Sequence, residues 1–303
     1  MPGPRYTLIT GSYYIQYPDL PNNGPQPDGD TINFLPDQDD LVTNLPRFNG
    51  VAPDRKHLGS YGVRFEGVDA LETHFLSRHQ NLGFANEARD EMLALVGFTN
   101  VAFSPNHPNE VATVDNNPLR GHLLANGIES NGRVLALVFP GDPPTDLVDG
   151  DKVHATTATL DQSVNAALIR DGLAYAELYS TMPLELITHL RQLITSARAR
   201  GRGIFPHEDV TVGHAVQLQG LADLPNLVSF PKLYRRLVRY FLDGNVGLDN
   251  FDTWVRADPT HRDDRALLPT GEMGNMHDLF SMGPNGIELQ FLPEALMWET
   301  DPI

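Results

Sequence analysis

The sequence contains no cysteine. That excludes a disulfide framework, a thiol nucleophile and every thiolate-ligated metal centre. Basic side chains are also few: Lys+Arg is 22 against Asp+Glu 39, for a formal charge of −17. Such a chain repels polyanions at long range, so a nucleic-acid site needs a local basic patch or a bound cation. Lysine is nearly missing, since nineteen of the 22 basic residues are arginine. The arginine fork suits phosphate and carboxylate, although a coding bias accounts for the ratio equally well. No stretch approaches the roughly 20 apolar residues of a membrane span. The opening Met1-Pro2-Gly3-Pro4-Arg5-Tyr6 lacks the basic-then-apolar layout of a signal peptide. As written, the chain reads as cytoplasmic; export by a leader outside this sequence stays open.

What is present is length enough for a large core, 303 residues, with 26 Gly and 24 Pro marking many turns. Tyr6–Tyr17 reads as one or two strands, Asp30–Phe34 and Tyr61–Val68 as further strands, and Leu35–Ser60 as a long surface loop. Phe84–Val96 has helical spacing and ends at Gly97. Strands near Leu119–Ala125 and Arg133–Phe139 flank Asn131-Gly132, a hairpin signal because both residues tolerate positive φ. Thr159-Leu160-Asp161-Gln162 has the layout of a capping box before a helix closed by Gly172. Pro183–Arg200 and Pro231–Asp243 carry apolar helical stripes. Strands precede helices with no βαβ repeat, which favours an α+β chain, mainly an antiparallel barrel with helices packed on it. The last ninety or so residues offer no chemistry of their own.

Three short stretches, each weak alone, combine into one chemistry. They are Asp28-Gly29-Asp30-Thr31, Arg64 to Glu72 within Val63–Thr73, and Asn131-Gly132-Arg133. Cleaving a phosphodiester requires a cation on the phosphoryl oxygens, cationic donors for the charge that builds up, and a carboxylate for the proton of water. Two aspartates with carbonyl and water oxygens make a hard site of the kind Ca²⁺ accepts. Two arginines can fork onto phosphate, and one glutamate remains for the water.

These residues resemble the staphylococcal nuclease (thermonuclease) family. The first stretch is similar to its Asp-Gly-Asp-Thr motif, and Arg64 through Glu72 matches its Arg-to-Asp and Asp-to-Glu spacing. Asn131-Gly132-Arg133 is similar to its Tyr-Gly-Arg turn. Ser163 to Ala174 resembles its Val-Asn-x-x-Leu helix, and Ala199 to Phe205 its closing element. The resemblance runs from about Tyr6 to Asp209. It implies a five-stranded OB-fold barrel capped by helices over residues 1–209, with a long loop at 35–60. Residues 210–303 are left as a C-terminal extension or small domain of unknown role, and as a candidate surface for self-association.

The resemblance implies that Asp30 and Asp69 ligate Ca²⁺ by side chain and Ala70 by its carbonyl. Arg64 and Arg133 bind the phosphate, and Glu72 acts on the attacking water. The implied activity is hydrolysis of DNA or RNA to 5′-hydroxyl and 3′-phosphate ends. The sequence departs from the family at Ala70-Leu71, where Thr-Pro is usual, and at Ser130-Asn131, where a Lys and a Tyr help hold nucleotide. Tyr175 and Tyr179 only approximately echo a later tyrosine pair. Arg191, Arg198 and Arg202, like Arg235, Arg236 and Arg239, read as solvated helix faces before phosphate-facing strips. The competing reading is a catalytically silent OB module that binds nucleic acid or protein.

Overall fold

The computed structural model describes residues 5–20 and 23–300. Its first part holds β1 (Tyr6–Tyr14), β2 (Thr31–Pro36), α1 (Asp39–Thr43), β3 (Tyr61–Phe65), β4 (Asp69–Ala70) and α2 (Leu82–Val96). There follow β5 (Ala102–Phe103), β6 (Val111–Thr113), β7 (Leu119–Ile128), β8 (Val134–Pro140), β9 (Lys152–Val153), α3 (Thr157–Asp161), α4 (Val164–Asp171), β10 (Ala174–Tyr175) and α5 (Leu184–Ala199). The remainder holds α6 (Pro231–Leu242), α7 (Phe251–Arg256), β11 (Arg265–Leu267), β12 (Met273–Asn275), β13 (Phe280–Gly283), β14 (Gly286–Leu289) and β15 (Met297–Trp298).

β1 is β-branched and aromatic, and β2 alternates buried and half-buried positions, the period of a strand with one face inward. β1, β2, β3, β8 and β7 pair in that order and β7 returns to β1, closing a five-stranded mixed barrel, with β9 added at the β1 edge. All pairings in the ring are antiparallel except β3 with β8. The parallel step places Val63 beside Val134 and so brings Arg64 and Arg133 to the same end of the barrel.

The helices lie where the apolar stripes place them. Leu186, Ile187, Leu190, Ile194 and Ala197 of α5 are buried, and Gly97 ends α2 with φ 110. Three local expectations change. The capping box at Thr159 does not form: Thr156 caps α3, and the chain restarts at Ser163, whose hydroxyl accepts from the Ala166 N–H. Only Gly132 has positive φ in the Asn131-Gly132 turn. Glu129 and Arg133 therefore close a three-residue loop with glycine at its left-handed position. The segment 35–60 is more than a surface loop. α1 buries Val42, Leu45 joins the core, and the Asp54 N–H donates to the Gly132 carbonyl at 2.8 Å. That contact sets the segment beside the turn that carries Arg133.

The hydrophobic core continues from Tyr6 through Trp298. Trp298 exchanges backbone hydrogen bonds with Leu178 and Ser180, while Arg191 donates to the carbonyls of Glu294, Ala295 and Leu296. Arg198 pairs with Glu208 and Glu294. These two arginines are thus neither solvated nor phosphate-facing; they tie α5 to neighbouring loops. No helix among the described residues is long and apolar enough to cross a membrane.

Candidate active site

The Asp28-Gly29-Asp30 turn enters β2 under tight steric control. A Cβ on Gly29 would meet the Ala70 Cβ at 2.5 Å and the Ala88 Cβ at 3.0 Å, so only glycine lets the turn reach β4 and α2 this closely. Asp30 Oδ2 accepts from the Ala70 N–H at 2.8 Å. Thr31 is the register partner of Arg64 across β2 and β3. Arg64 projects into the interior, where its guanidinium pairs with Asp30, with Asp69 Oδ1 at 2.6 Å and with Glu177 Oε2 at 3.1 Å. Asp69 is placed by the short β4–β10 pairing, in which it faces Tyr175, two residues before Glu177.

Arg133 approaches from the other side. Its side chain lies over Gly62, which shares a face of β3 with Arg64. Nη1 of Arg133 donates to Thr31 Oγ1 at 3.2 Å, and that hydroxyl donates to Asp30 Oδ1 at 3.1 Å. Nε pairs with Glu129 at 3.1 Å. Glu72 is held by Gln80, which accepts from the Glu72 N–H at 3.1 Å and donates its own N–H to the Glu72 carbonyl at 2.9 Å. Gln80 is buried and its amide donates to the Ser229 carbonyl at 2.8 Å, so this clamp stands where the expected proline is replaced by Leu71.

The C-terminal extension, which promised no chemistry, enters this cluster. Leu233, Leu237, Val238 and Phe241 bury one side of α6, and the opposite edge carries three cations inward. Arg235 Nη1 pairs with Glu72 Oε1 at 2.7 Å and Asp69 Oδ1 at 2.9 Å, while its Nη2 reaches Asp69 Oδ2 at 3.3 Å. The Lys232 N–H donates to Asp69 Oδ2 at 3.1 Å. Lys232 Nζ bonds Glu177 at 3.0 Å and Tyr179 Oη at 2.9 Å, and Asp264 pairs with Lys232 and Arg236. The solvated face expected for Arg235, Arg236 and Arg239 therefore holds only at Arg239, which is exposed; Arg235 and Arg236 turn inward beside the buried Lys232. Tyr179 belongs to the network, whereas Tyr175 is core, edge-on to Phe205 and Phe230.

Seven carboxylates (Asp28, Asp30, Asp69, Glu72, Glu129, Glu177 and Asp264) thus face five cations (Arg64, Arg133, Lys232, Arg235 and Arg236). The imbalance shows in three groups, Asp28, Glu72 and Asp69, the last raised by burial against the pull of Arg235. Burial, and next the charge of Asp30, push Asp28 up to about 7 against the pull of Arg64 and Arg133. Burial likewise pushes Glu72 up to about 7, with Arg235 opposing and Asp28 reinforcing. For Glu177, burial acts upward too, but Lys232, Arg235 and Arg64 outweigh it and hold the carboxyl well below its usual range. A carboxyl near 7 is matched to accepting a proton at neutral pH.

Asp30, Arg64, Asp69, Ala70, Glu72 and Arg133 are therefore contiguous, linked through Thr31 and Arg235. The donor set does not fit a calcium ion while α6 lies here. Both oxygens of the fully buried Asp69 accept from Arg64, Arg235 and the Lys232 N–H, and Asp30 is taken up by Arg64, Ala70 and Thr31. A divalent cation needs those lone pairs. Four residues escaped the sequence reading. Glu177 carried a signal, a single charge inside the apolar run Leu173–Leu178. Gln80, Lys232 and Arg235 carried none, because their partners lie far away along the chain. Compared with known proteins, the chain matches no family model and no curated sequence.

Proposed function

We propose that the chain is a phosphodiesterase acting on nucleic acid, DNA or RNA, through Arg64, Arg133 and Glu72, with α6 as a cover over the site. The observation that carries this reading is one continuous set of contacts, through Thr31, Asp30, Asp69 and Arg235, that joins Arg64 of β3, Arg133 of the turn before β8 and a glutamate raised to about 7. The barrel supports it: the strands of the ring, renumbered first to fifth along the chain, pair in the order 1-2-3-5-4-1, with a helix between the third and fourth. That order suits an OB-type barrel.

In the proposed reaction, Glu72 takes a proton from water as the oxygen attacks phosphorus. Arg64 and Arg133 hold the phosphoryl oxygens as negative charge builds on them. The P–O5′ bond breaks, the 5′-oxygen takes a proton from solvent, and the phosphate stays on the 3′-oxygen. Substrate must displace Arg235 from Glu72, so turnover requires α6 to shift. The carboxylates that would hold calcium are already occupied by Arg64, Arg235 and backbone N–H groups, so these steps rest on the chain's own side chains. The cation requirement implied by the family resemblance is the part of that resemblance these donors support least.

One observation favours the silent module: Arg64, Lys232 and Arg235 have their charge fully met by carboxylates. Wild type, Arg235→Ala and the double variant Arg235→Ala/Glu72→Gln separate the readings. Each is incubated with single- and double-stranded DNA and RNA, with Ca²⁺, with Mg²⁺ and with chelator. The hydrolase reading expects cleavage per folded molecule to rise in Arg235→Ala and to fall at least ~10²-fold when Glu72→Gln is added. No cleavage by any of them under any condition would leave the module.

A further inference from the structure

We propose that the cleft beside Glu72, between the Phe75–Arg78 turn, α2 and β5, is a binding site for a phosphate of a polynucleotide strand. The proposal rests on the hydrolase reading only for the neighbouring Glu72; the cleft's own chemistry stands apart from it. It encloses about 380 Å³ and has twelve lining residues, among them His74, Arg78, His79, Asn86, Arg89 and Phe103. None of the twelve is acidic. In a chain with 39 acidic residues against 22 basic ones, this is the local basic patch that binding a polyanion requires.

The donors are positioned and, in part, unclaimed. Arg89 is buried, and its guanidinium lies 3.5 Å from the centroid of the Phe103 ring, which fixes its plane. Nε and Nη2 bind Asp90 Oδ1 at 2.9 and 2.8 Å, and Nη1 has no partner among the described residues. Arg78 is exposed and has no carboxylate within ion-pair reach among the described residues. Its place is fixed by a two-residue turn in which Phe75 and Arg78 exchange both backbone hydrogen bonds. Leu76 and Ser77 at the tip hold φ of 50 and 60, a conformation that non-glycine residues avoid. Such a turn is kept only when its surroundings impose it. His74 and His79 engage Nδ1 with Thr73 and the Gln80 carbonyl, each at 2.8 Å, leaving Nε2.

The cleft also lies next to the candidate active site, since the charge of Glu72 acts on His74 in its wall. Thr73 and His74, both in its wall, directly follow Glu72. The α6 side is basic as well, with the Arg239 guanidinium 5.7 Å from the Phe75 ring. A strand whose scissile phosphate sits at Arg64 and Arg133 has a neighbouring phosphate to place, and a carboxylate-free cleft next to Glu72 is where it can go. A polynucleotide is favoured over a free phosphate because the donors are spread along a cleft and are not gathered on one point.

The test is anisotropy of a fluorescein-labelled single-stranded 12-mer in chelator, with inorganic phosphate and a mononucleotide as competitors. Arg78→Ala should weaken binding at least 5-fold and lower the salt slope by ~0.7, the value of one lost phosphate contact on a single strand. Arg78→Lys should restore most of the loss, and Arg256→Ala, at a residue that does not line the cleft and pairs with Asp252, should bind like wild type. Glu72→Gln should bind like wild type while losing any cleavage. Wild-type-like binding by Arg78→Ala overturns the proposal, as does no wild-type binding at low salt. Competition by inorganic phosphate as strong as by unlabelled 12-mer would make this a small-anion site and overturn the strand reading. Binding that depends on Arg78 without cleavage by any variant keeps the cleft and removes the hydrolase.

Discussion

Replacing Arg235 with alanine isolates the contribution of α6 to the site. Its guanidinium makes contacts of 2.7 Å to Glu72 and of 2.9 and 3.3 Å to Asp69, which has no exposed surface. Removing one partner of a buried pair costs ~3–5 kcal/mol, because the other charge stays uncompensated. Arg64 and the Lys232 N–H remain on Asp69, so the lower end, ~3 kcal/mol, is expected in urea unfolding at pH 8. The pH dependence has a definite sign. Arg235 pulls the Glu72 pKa down against burial; without it the folded-state value moves still further above the unfolded one. A carboxyl raised in the fold loses stability as pH rises from its unfolded to its folded value. The variant should therefore be penalised more at pH 8 than at pH 5. Removing the cation also frees carboxylate oxygens, so millimolar Ca²⁺ should raise the melting temperature of Arg235→Ala and leave wild type unchanged. A stability within ~0.5 kcal/mol of wild type at both pH values would refute a role for α6 in neutralising this cluster.

Three further outcomes follow from the same geometry. Glu72→Gln removes a group raised from 4.5 to about 7; its stability relative to wild type should improve by up to ~3 kcal/mol between pH 4.5 and 8, and a flat difference would mean that the carboxyl titrates normally. Arg133→Ala should cost little stability, below ~1 kcal/mol, since its pair with Glu129 is partly exposed. It should nonetheless lower cleavage ~10²-fold, and unchanged cleavage would remove it from the site. Gly29→Ala places a Cβ 2.5 Å from that of Ala70, so ~1–3 kcal/mol should be lost by thermal unfolding, and a neutral result would show that the turn can open without cost.

The sequence by itself determined the local features. Strand alternation in β2, the stripes of α5 and α6, and the stops at Gly97 and Gly172 depend on neighbours within a few residues, and all are present. It also identified which residues of the first part belong together, because Asp30, Arg64, Asp69, Glu72 and Arg133 sit on strands and turns whose pairing brings one end of a barrel to a point. Boundaries near turns were less legible: Thr156 and Ser163 took the caps that Thr159 offered, since several hydroxyls compete for the same N–H groups there. Tertiary structure alone decided the charge state and accessibility of the cluster. Asp69 and Arg235 are 166 residues apart, and no periodicity links such positions. The burial that raises Glu72 and Asp28, and the cations that fill Asp69, exist only once α6 has docked on the barrel, because desolvation and Coulomb energy depend on distance in space and not along the chain.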